Sequence, residues 1–238
     1  MKNLIRFLIF FPLLLILGLG YLGFVPIVSD FIGPKPKDLG IKFSQKAYDA
    51  GYKKSQVKRE AIIKSTGVKD SLVLIGSHPV KDSFTSEELT AAAQKRQWIY
   101  WPFEKVQIRF NQDGSGEASG VINMAKIFPY LSTLDVSAAD VEKAMDKLKI
   151  PKTDLVFYIK VSGSVKNNQV NCKISRFELG RIPIPMSYIS RYTPAINSFL
   201  ENNVLGNRPA YEIKSMTIAG GRLLFDGKLP DIEATLNK

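Results

Sequence analysis

The chain is 238 residues long and carries 33 Lys and Arg against 22 Asp and Glu, a formal net charge of +11 at pH 7. With one cysteine, Cys172, and one histidine, His78, it cannot close an intramolecular disulfide or build a Cys/His zinc cluster. A hydrophobic content of 45% suffices for a folded core and excludes wholesale disorder.

Residues 1–28 are predicted to be a transmembrane anchor. No charged residue occurs from Phe7 to Val28, a length that crosses about 30 Å of hydrocarbon at about 1.5 Å per helical residue. A cleaved secretory signal would have a shorter apolar region ending in a small-x-small site, whereas this run ends in Phe24-Val25-Pro26-Ile27-Val28. No cysteine follows it, so lipoprotein processing is excluded. Lys2 and Arg6 favour an N-terminus inside the cell and a long domain outside, although Lys35, Lys37, Lys42 and Lys46 flank the other end. The expected layout is that of a bacterial single-pass signal-anchor protein of the cell membrane.

Residues 29–37, with Pro34 and Pro36, read as a stiff linker. The domain opens near Asp38, with a helix-rich part over 38–104 and an antiparallel sheet with helices over 105–238. Lys35, Lys37, Lys42, Lys46, Lys53 and Lys54 form a basic stretch beside the expected bilayer. They are candidate contacts to anionic headgroups, the alternative being a solvated helix face. No nucleic-acid-binding motif accompanies them, and nucleic acid is not an expected partner.

Three helix starts share one signature: Phe43-Ser44 with Tyr48, Phe84-Thr85 with Leu89, and Val136-Ser137 with Val141. In each, a hydroxyl residue is placed to accept from the first unpaired N–H groups, with an apolar residue before it. Glu88 completes a capping box with Thr85. The first two starts suggest a weak repeat, with Ser71–Ile75 as a buried strand between them.

From Lys105 the apolar period becomes two: Val106, Ile108 and Phe110, then a turn at 111–116 and a return strand from Glu117 to about Met124. Helices follow near Ala125–Leu131 and over Ser137–Lys149. Leu155, Phe157, Ile159 and Val161 alternate in a longer strand that turns at 166–169 and returns through Val170, Cys172 and Ile174. The phase then slips to Phe177 and Leu179, which predicts a bulge near Ser175-Arg176. Gly180 to Pro185 cannot be a central strand, because two prolines lack the donor. An amphipathic helix should follow, with Ile196, Phe199, Leu200 and Val204 on one stripe, Thr193-Pro194 as cap and first turn and Gly206 as its stop. The last hairpin, Tyr211–Ile218 and Arg222–Leu229, should turn on Gly220-Gly221. The sum is α+β: one domain of long antiparallel hairpins forming a curved sheet packed on helices.

No catalytic constellation is apparent, and an enzyme is not expected. His78 lies in Gly76-Ser77-His78-Pro79, which reads as a turn. Asp113 and Glu117 read as solvated residues at a hairpin tip. The glycines from Gly114 to Gly120 join two strands, so they offer no helix N-terminus for a phosphate. Cys172 reads as a small apolar strand residue. No metal or cofactor is expected. Two contact surfaces remain. One is the aromatic cluster Trp98, Tyr100, Trp101 and Phe103, a headgroup or ligand surface if it is not core. The other is a groove lined by Ile182, Ile184, Met186, Ile189, Tyr192, Ile196 and Phe199, the alternative being a helix that simply covers the sheet.

The anchor, Leu39 to Ser44, Phe84 to Leu89, Gly180 to Pro185 and the final strand Leu223 to Pro230 together resemble the bacterial anchored or secreted YpmS-like and LmeA-like proteins. That resemblance covers most of the domain and implies a curved antiparallel sheet wrapped around a helix, with a role in lipid or envelope handling. It carries over no functional residue. The expected function is a non-enzymatic envelope protein binding lipid, another amphiphile or the membrane surface. The alternative is a structural or assembly protein pairing with another envelope component.

Overall fold

The computed structural model describes residues 12, 14–19, 33–64, 67–148, 153–180, 182–206 and 208–237. The expected anchor lies outside these residues apart from Pro12 and residues 14–19, which are helical and exposed. Among the described residues no helix is long and apolar enough to cross a membrane. The domain is α+β, a curled antiparallel sheet of half-barrel form with several helices.

Two of the expected caps start the first helices. Ser44 Oγ accepts from Ala47 N at 3.1 Å and opens α1 (Gln45–Ser55). Three strands follow: β1 (Lys58–Ile62), β2 (Leu72–Ile75) and β3 (His78–Phe84). Thr85 then opens α2 (Ser86–Gln94) with a complete capping box, Glu88 N donating to Thr85 Oγ1 at 3.2 Å and Thr85 N to Glu88 Oε2 at 2.9 Å. The expected hairpins are β4 (Phe103–Phe110) with β5 (Ser115–Ile122), and β6 (Leu155–Lys166) with β7 (Gln169–Leu179). Helices α3 (Met124–Ser132) and α4 (Ala138–Leu148) lie between them. A two-residue β8 (Ile182–Pro183), α5 (Met186–Phe199), and the strands β9 (Glu212–Ala219), β10 (Arg222–Leu229) and β11 (Ile232–Leu236) complete the order. Gly220 and Gly221, with φ +58° and +71°, supply the left-handed pair that a two-residue hairpin turn requires.

The main sheet runs β3-β10-β9-β6-β5-β4, with β7 on the other edge of β6 and β8 on β7. β6 is where the sheet forks: residues 155–162 pair with β5 and residues 164–166 with β9. Across from it, Lys160 pairs with Arg176 and Val161 with Ile174, which leaves Ser175 as the expected bulge. Phe157, Ile159, Val161, Gly163 and Val165 share one face of β6, with Gly116, Ala118 and Gly120 beside them on β5. Small residues on that face let the sheet curl inward. A Cβ on Gly116 would lie 2.9 Å from Ile218 Cδ1, so β5 and β9, which are not neighbours, converge over the fork.

A second sheet, β1-β11-β2, pairs β1 parallel to β11. β2 runs on into β3 and β10 into β11, so one antiparallel ribbon serves both sheets and bends at Gly76 (φ +65°) and Pro230-Asp231. His78 braces the bend: its Nδ1 lies 2.8 Å from Asp231 Oδ1 and its Nε2 2.9 Å from Ser55 O. His78 therefore begins a strand and does not sit in a turn. Residues 38–104, read as helix-rich, hold three strands whose partners lie at the end of the chain.

The core has two centres. Val80, Phe84, Val165, Ile213 and Phe225 pack with Leu89 of α2, while Met124, Met145 and Leu155 join α3 and α4 to the start of β6. Helix α2 also finishes the edge of β4. Its residues Ser86, Thr90 and Gln94 recur every four positions and so share one face. Ser86 Oγ accepts from Phe110 N at 2.9 Å, Thr90 Oγ1 accepts from Ile108 N at 2.9 Å and donates to Ile108 O at 3.2 Å, and Gln94 Nε2 donates to Val106 O at 2.7 Å. Side chains thus replace a neighbouring strand and protect an edge that would otherwise invite pairing.

Candidate functional site

Over the fork, the apolar face of the sheet leaves a cavity of about 250 Å³. Its floor is Val161, Val165, Cys172, Ile213, Met216 and Leu223, and Leu200, Val204 and Leu205 close it from above. Gly163 crosses the floor with φ +141°, and a Cβ there would meet Asn171 O of β7 at 2.0 Å, so the pairing of β6 with β7 beneath the cavity requires glycine. The roof is a seven-residue π-helical segment, Leu200–Gly206, a rare geometry that concentrates at functional sites. Two hydrogen bonds pin it: Val170 N donates to Glu201 Oε1 at 2.6 Å, and Asn203 Nδ2 to Leu134 O at 2.9 Å. Cys172 is half-buried, and burial pushes its thiol up from the ordinary range. The lining is almost wholly apolar, which suits a hydrocarbon chain and offers little to a polar substrate.

The groove residues read from the sequence lie one step earlier, and none of them lines this cavity. Ile182 pairs with Leu179 on the short β8, and Ile184 N donates to Phe177 O at 2.8 Å. Ile189 is buried, Ile196 and Phe199 are half-buried, and Met186 and Tyr192 face solvent. The cause is the start of α5, which begins at Met186 after Pro185 (φ −57°). Pro194 sits inside the helix and is not its first turn, so the apolar stripe is spent on covering β7. The cavity-facing residues belong to the segment that follows, where Leu200 and Val204 continue the stripe read from the sequence.

The six candidate lysines divide. Lys35, Lys37, Lys42, Lys46 and Lys53 are exposed, and Lys46 and Lys53 share a face of α1 by their spacing. Lys54 is not a surface contact: its Nζ donates to Glu88 Oε1 at 2.7 Å, to Oε2 at 2.8 Å and to Ser83 O at 2.8 Å. Lys37 Nζ lies 3.9 Å from the centre of the Tyr158 ring. Leu39 is 3% exposed and its N–H donates to Gln107 Oε1 at 2.8 Å, so the segment read as a linker and its continuation lie on the sheet. Beneath it Glu117 is buried, accepting from Arg109 Nε at 2.7 Å and from Tyr158 Oη at 2.6 Å. Asp113 accepts from Ser115 N at 2.9 Å, so each hairpin carboxylate has its own partners.

The aromatic cluster is partly core. Trp98 is 2% exposed, its Nε1 donates to Ser71 Oγ at 3.1 Å, and Tyr130 of α3 packs against Trp98, Trp101 and Phe103. Among the described residues no group of three His, Cys, Asp or Glu side chains is placed to hold a metal ion. No family model, curated protein or solved structure matches the chain.

Proposed function

We propose that this protein is a membrane-tethered, non-catalytic module that shelters one acyl chain of an amphiphile in the cavity beneath Leu200–Gly206. The observation that carries the reading is that cavity itself: an apolar floor on the curled sheet under a pinned π-helical roof. Its volume of about 250 Å³ falls just below the roughly 300–1,000 Å³ of sites that enclose drug-sized molecules, which fits a single chain whose polar head stays outside. The uncharged stretch from Phe7 to Val28 supports the tether. The exposed Lys35, Lys42, Lys46 and Lys53 support contact with anionic headgroups, and the resemblance to YpmS-like and LmeA-like proteins points the same way.

The full-length protein, extracted in mild detergent and delipidated, is expected to bind dansyl-labelled undecanoic acid saturably. Cys172→Phe, which fills the cavity, should weaken that binding by about tenfold or more with an unchanged circular dichroism spectrum. Equal binding by the two proteins, or none by the wild type, would overturn the proposal.

A second reading, assembly with another envelope protein, draws on one feature. β2 lies at the edge of its sheet and exposes Val73 (40%) and Ile75 (49%), a strand suited to pairing with an extended partner segment. Stoichiometric crosslinking at position 73 in intact cells would support it.

A further inference from the structure

A separate cleft of about 690 Å³ opens where the end of α2, the start of β4 and α3 meet. Arg96, Lys105 and Lys126 line it together with the amides of Gln94 and Gln97 and the rings of Trp101 and Phe103. The carboxylate in its wall, Glu104, accepts from Lys126 Nζ at 3.0 Å and from Asn123 Nδ2 at 3.1 Å, which leaves the three cations of the cleft one charge in excess of Glu104 and of the Glu233 carboxylate that holds Arg96. Arg96 Cζ stacks 4.6 Å from the Trp101 ring. The guanidinium is anchored through Arg96 Nη2, 2.8 Å from Glu233 Oε2.

Two donors in this wall are spare. Arg96 Nε and Trp101 Nε1 are buried without a hydrogen-bond partner among the described residues, and buried N–H groups are rarely left so. They sit on two side chains that touch, beside one opening. The backbone supplies a further sign: Lys105 has φ +51° at the irregularity between Glu104 and Gln107. A strained residue on a bulge re-aims its side chain and is typical of ligand sites.

We propose that this cleft binds an anionic saccharide, a sugar acid or sugar phosphate held by its charge and its hydroxyl groups. Guanidinium and ammonium groups recognise the carboxylate or phosphate. The Gln97 amide serves hydroxyl groups as donor and acceptor at once, the Gln94 amide, whose nitrogen already donates to Val106 O, adds its oxygen, and the Trp101 and Phe103 rings pack on the apolar C–H edge of a sugar ring. The cleft is too large for a bare inorganic anion and too polar for an acyl chain, so this site is independent of the apolar cavity.

Tryptophan fluorescence reports on it, because the chain has two tryptophans and Trp101 lines the cleft. The full-length protein in detergent micelles is titrated with glucuronate, glucose phosphate, glucose and inorganic phosphate. Saturable change with glucuronate, glucose phosphate or both is expected, at least about tenfold tighter than with glucose or phosphate alone, and the better of the two identifies the anion. Lys105→Ala, an exposed position whose loss should leave the fold intact, is expected to weaken the better ligand about fivefold or more. Cys172→Phe should leave it unchanged. Absence of saturation with both anionic sugars, equal affinity for glucose or inorganic phosphate, or full affinity in Lys105→Ala would overturn the proposal.

Discussion

The Tyr158 hydroxyl donates to Glu117 Oε1 at 2.6 Å, on neighbouring strands and beneath the segment that carries Leu39. Tyr158 is 4% exposed and Glu117 7%. Burial first, then the hydrogen bond to Glu117 and its charge, push the Tyr158 phenol up to about 12. Removing the hydroxyl in Tyr158→Phe takes away a hydrogen bond to a charged group and should cost about 1.5–3 kcal/mol, read as a lower denaturant midpoint at neutral pH. The pH dependence has a definite sign. A phenol whose folded pKa is raised holds its proton longer in the native state, so its stabilising contribution is complete below about 10 and is lost as pH climbs through about 12. The gap in stability between wild type and Tyr158→Phe should therefore shrink across that window, and an ultraviolet difference titration of the two proteins should place this phenol at its upper end. A gap that widens between pH 10 and 12 would refute the pairing.

Glu117 gives the matching prediction at low pH. Burial raises its carboxyl, but the Tyr158 hydroxyl and then Arg109 outweigh burial and hold it below the ordinary value of 4.5. A carboxyl with a lowered folded pKa stabilises the native state above its unfolded value, and that contribution disappears as pH falls through the folded value. Glu117→Gln should thus be markedly less stable than wild type at pH 7, and the two should approach each other below 4.5. Thermal melts at stepped pH test this, and a constant difference down to the acid limit would count against it.

The cap on the β4 edge rests on Thr90, which is fully buried and both accepts from and donates to the backbone of Ile108. Thr90→Val keeps the shape and removes the hydroxyl, leaving the half-buried Ile108 N–H and C=O without this partner. The expected loss is about 1–3 kcal/mol, measured by urea denaturation. Faster exchange of the Ile108 amide hydrogen should accompany it, since that N–H loses its acceptor.

What could be read from the sequence is what is local. The hairpins follow from period-two patterning and glycine turns, the helix starts from hydroxyl caps, and the Ser175 bulge from a slip in phase. The parallel pair of β1 with β11 could not be read in the same way. Lys58-Arg59-Glu60-Ala61-Ile62 is an exposed edge strand without an alternating apolar face, held by backbone pairing to the far end of the chain. The charge of Lys54 was visible, but not its use: only the approach of α1 to α2 shows that it neutralises Glu88, the carboxylate that also completes the capping box. Leu200 and Val204 of the predicted stripe reach the cavity, whereas Leu205 and the strand residues of its floor carry no such local signal. Pro194 reads as a helix start but lies inside α5, and the π-helical segment Leu200–Gly206 is tied to Val170 and Leu134 by contacts that no local pattern records.

Cys172 offers a direct readout of the cavity. Burial raises its thiol, so less of the reactive thiolate is present at neutral pH than in an open chain. Its alkylation by iodoacetamide, followed as a mass shift over time, should be slower than that of free cysteine and should accelerate as pH is raised. The thiol lines the cavity with Val170 and Val204, so an occupant has to lie against it. Saturating undecanoic acid is expected to slow the reaction about tenfold further without changing the rate in urea-unfolded protein. Protection that survives unfolding, or a folded-state rate indifferent to the fatty acid, would separate Cys172 from the bound chain and remove the cavity as its seat.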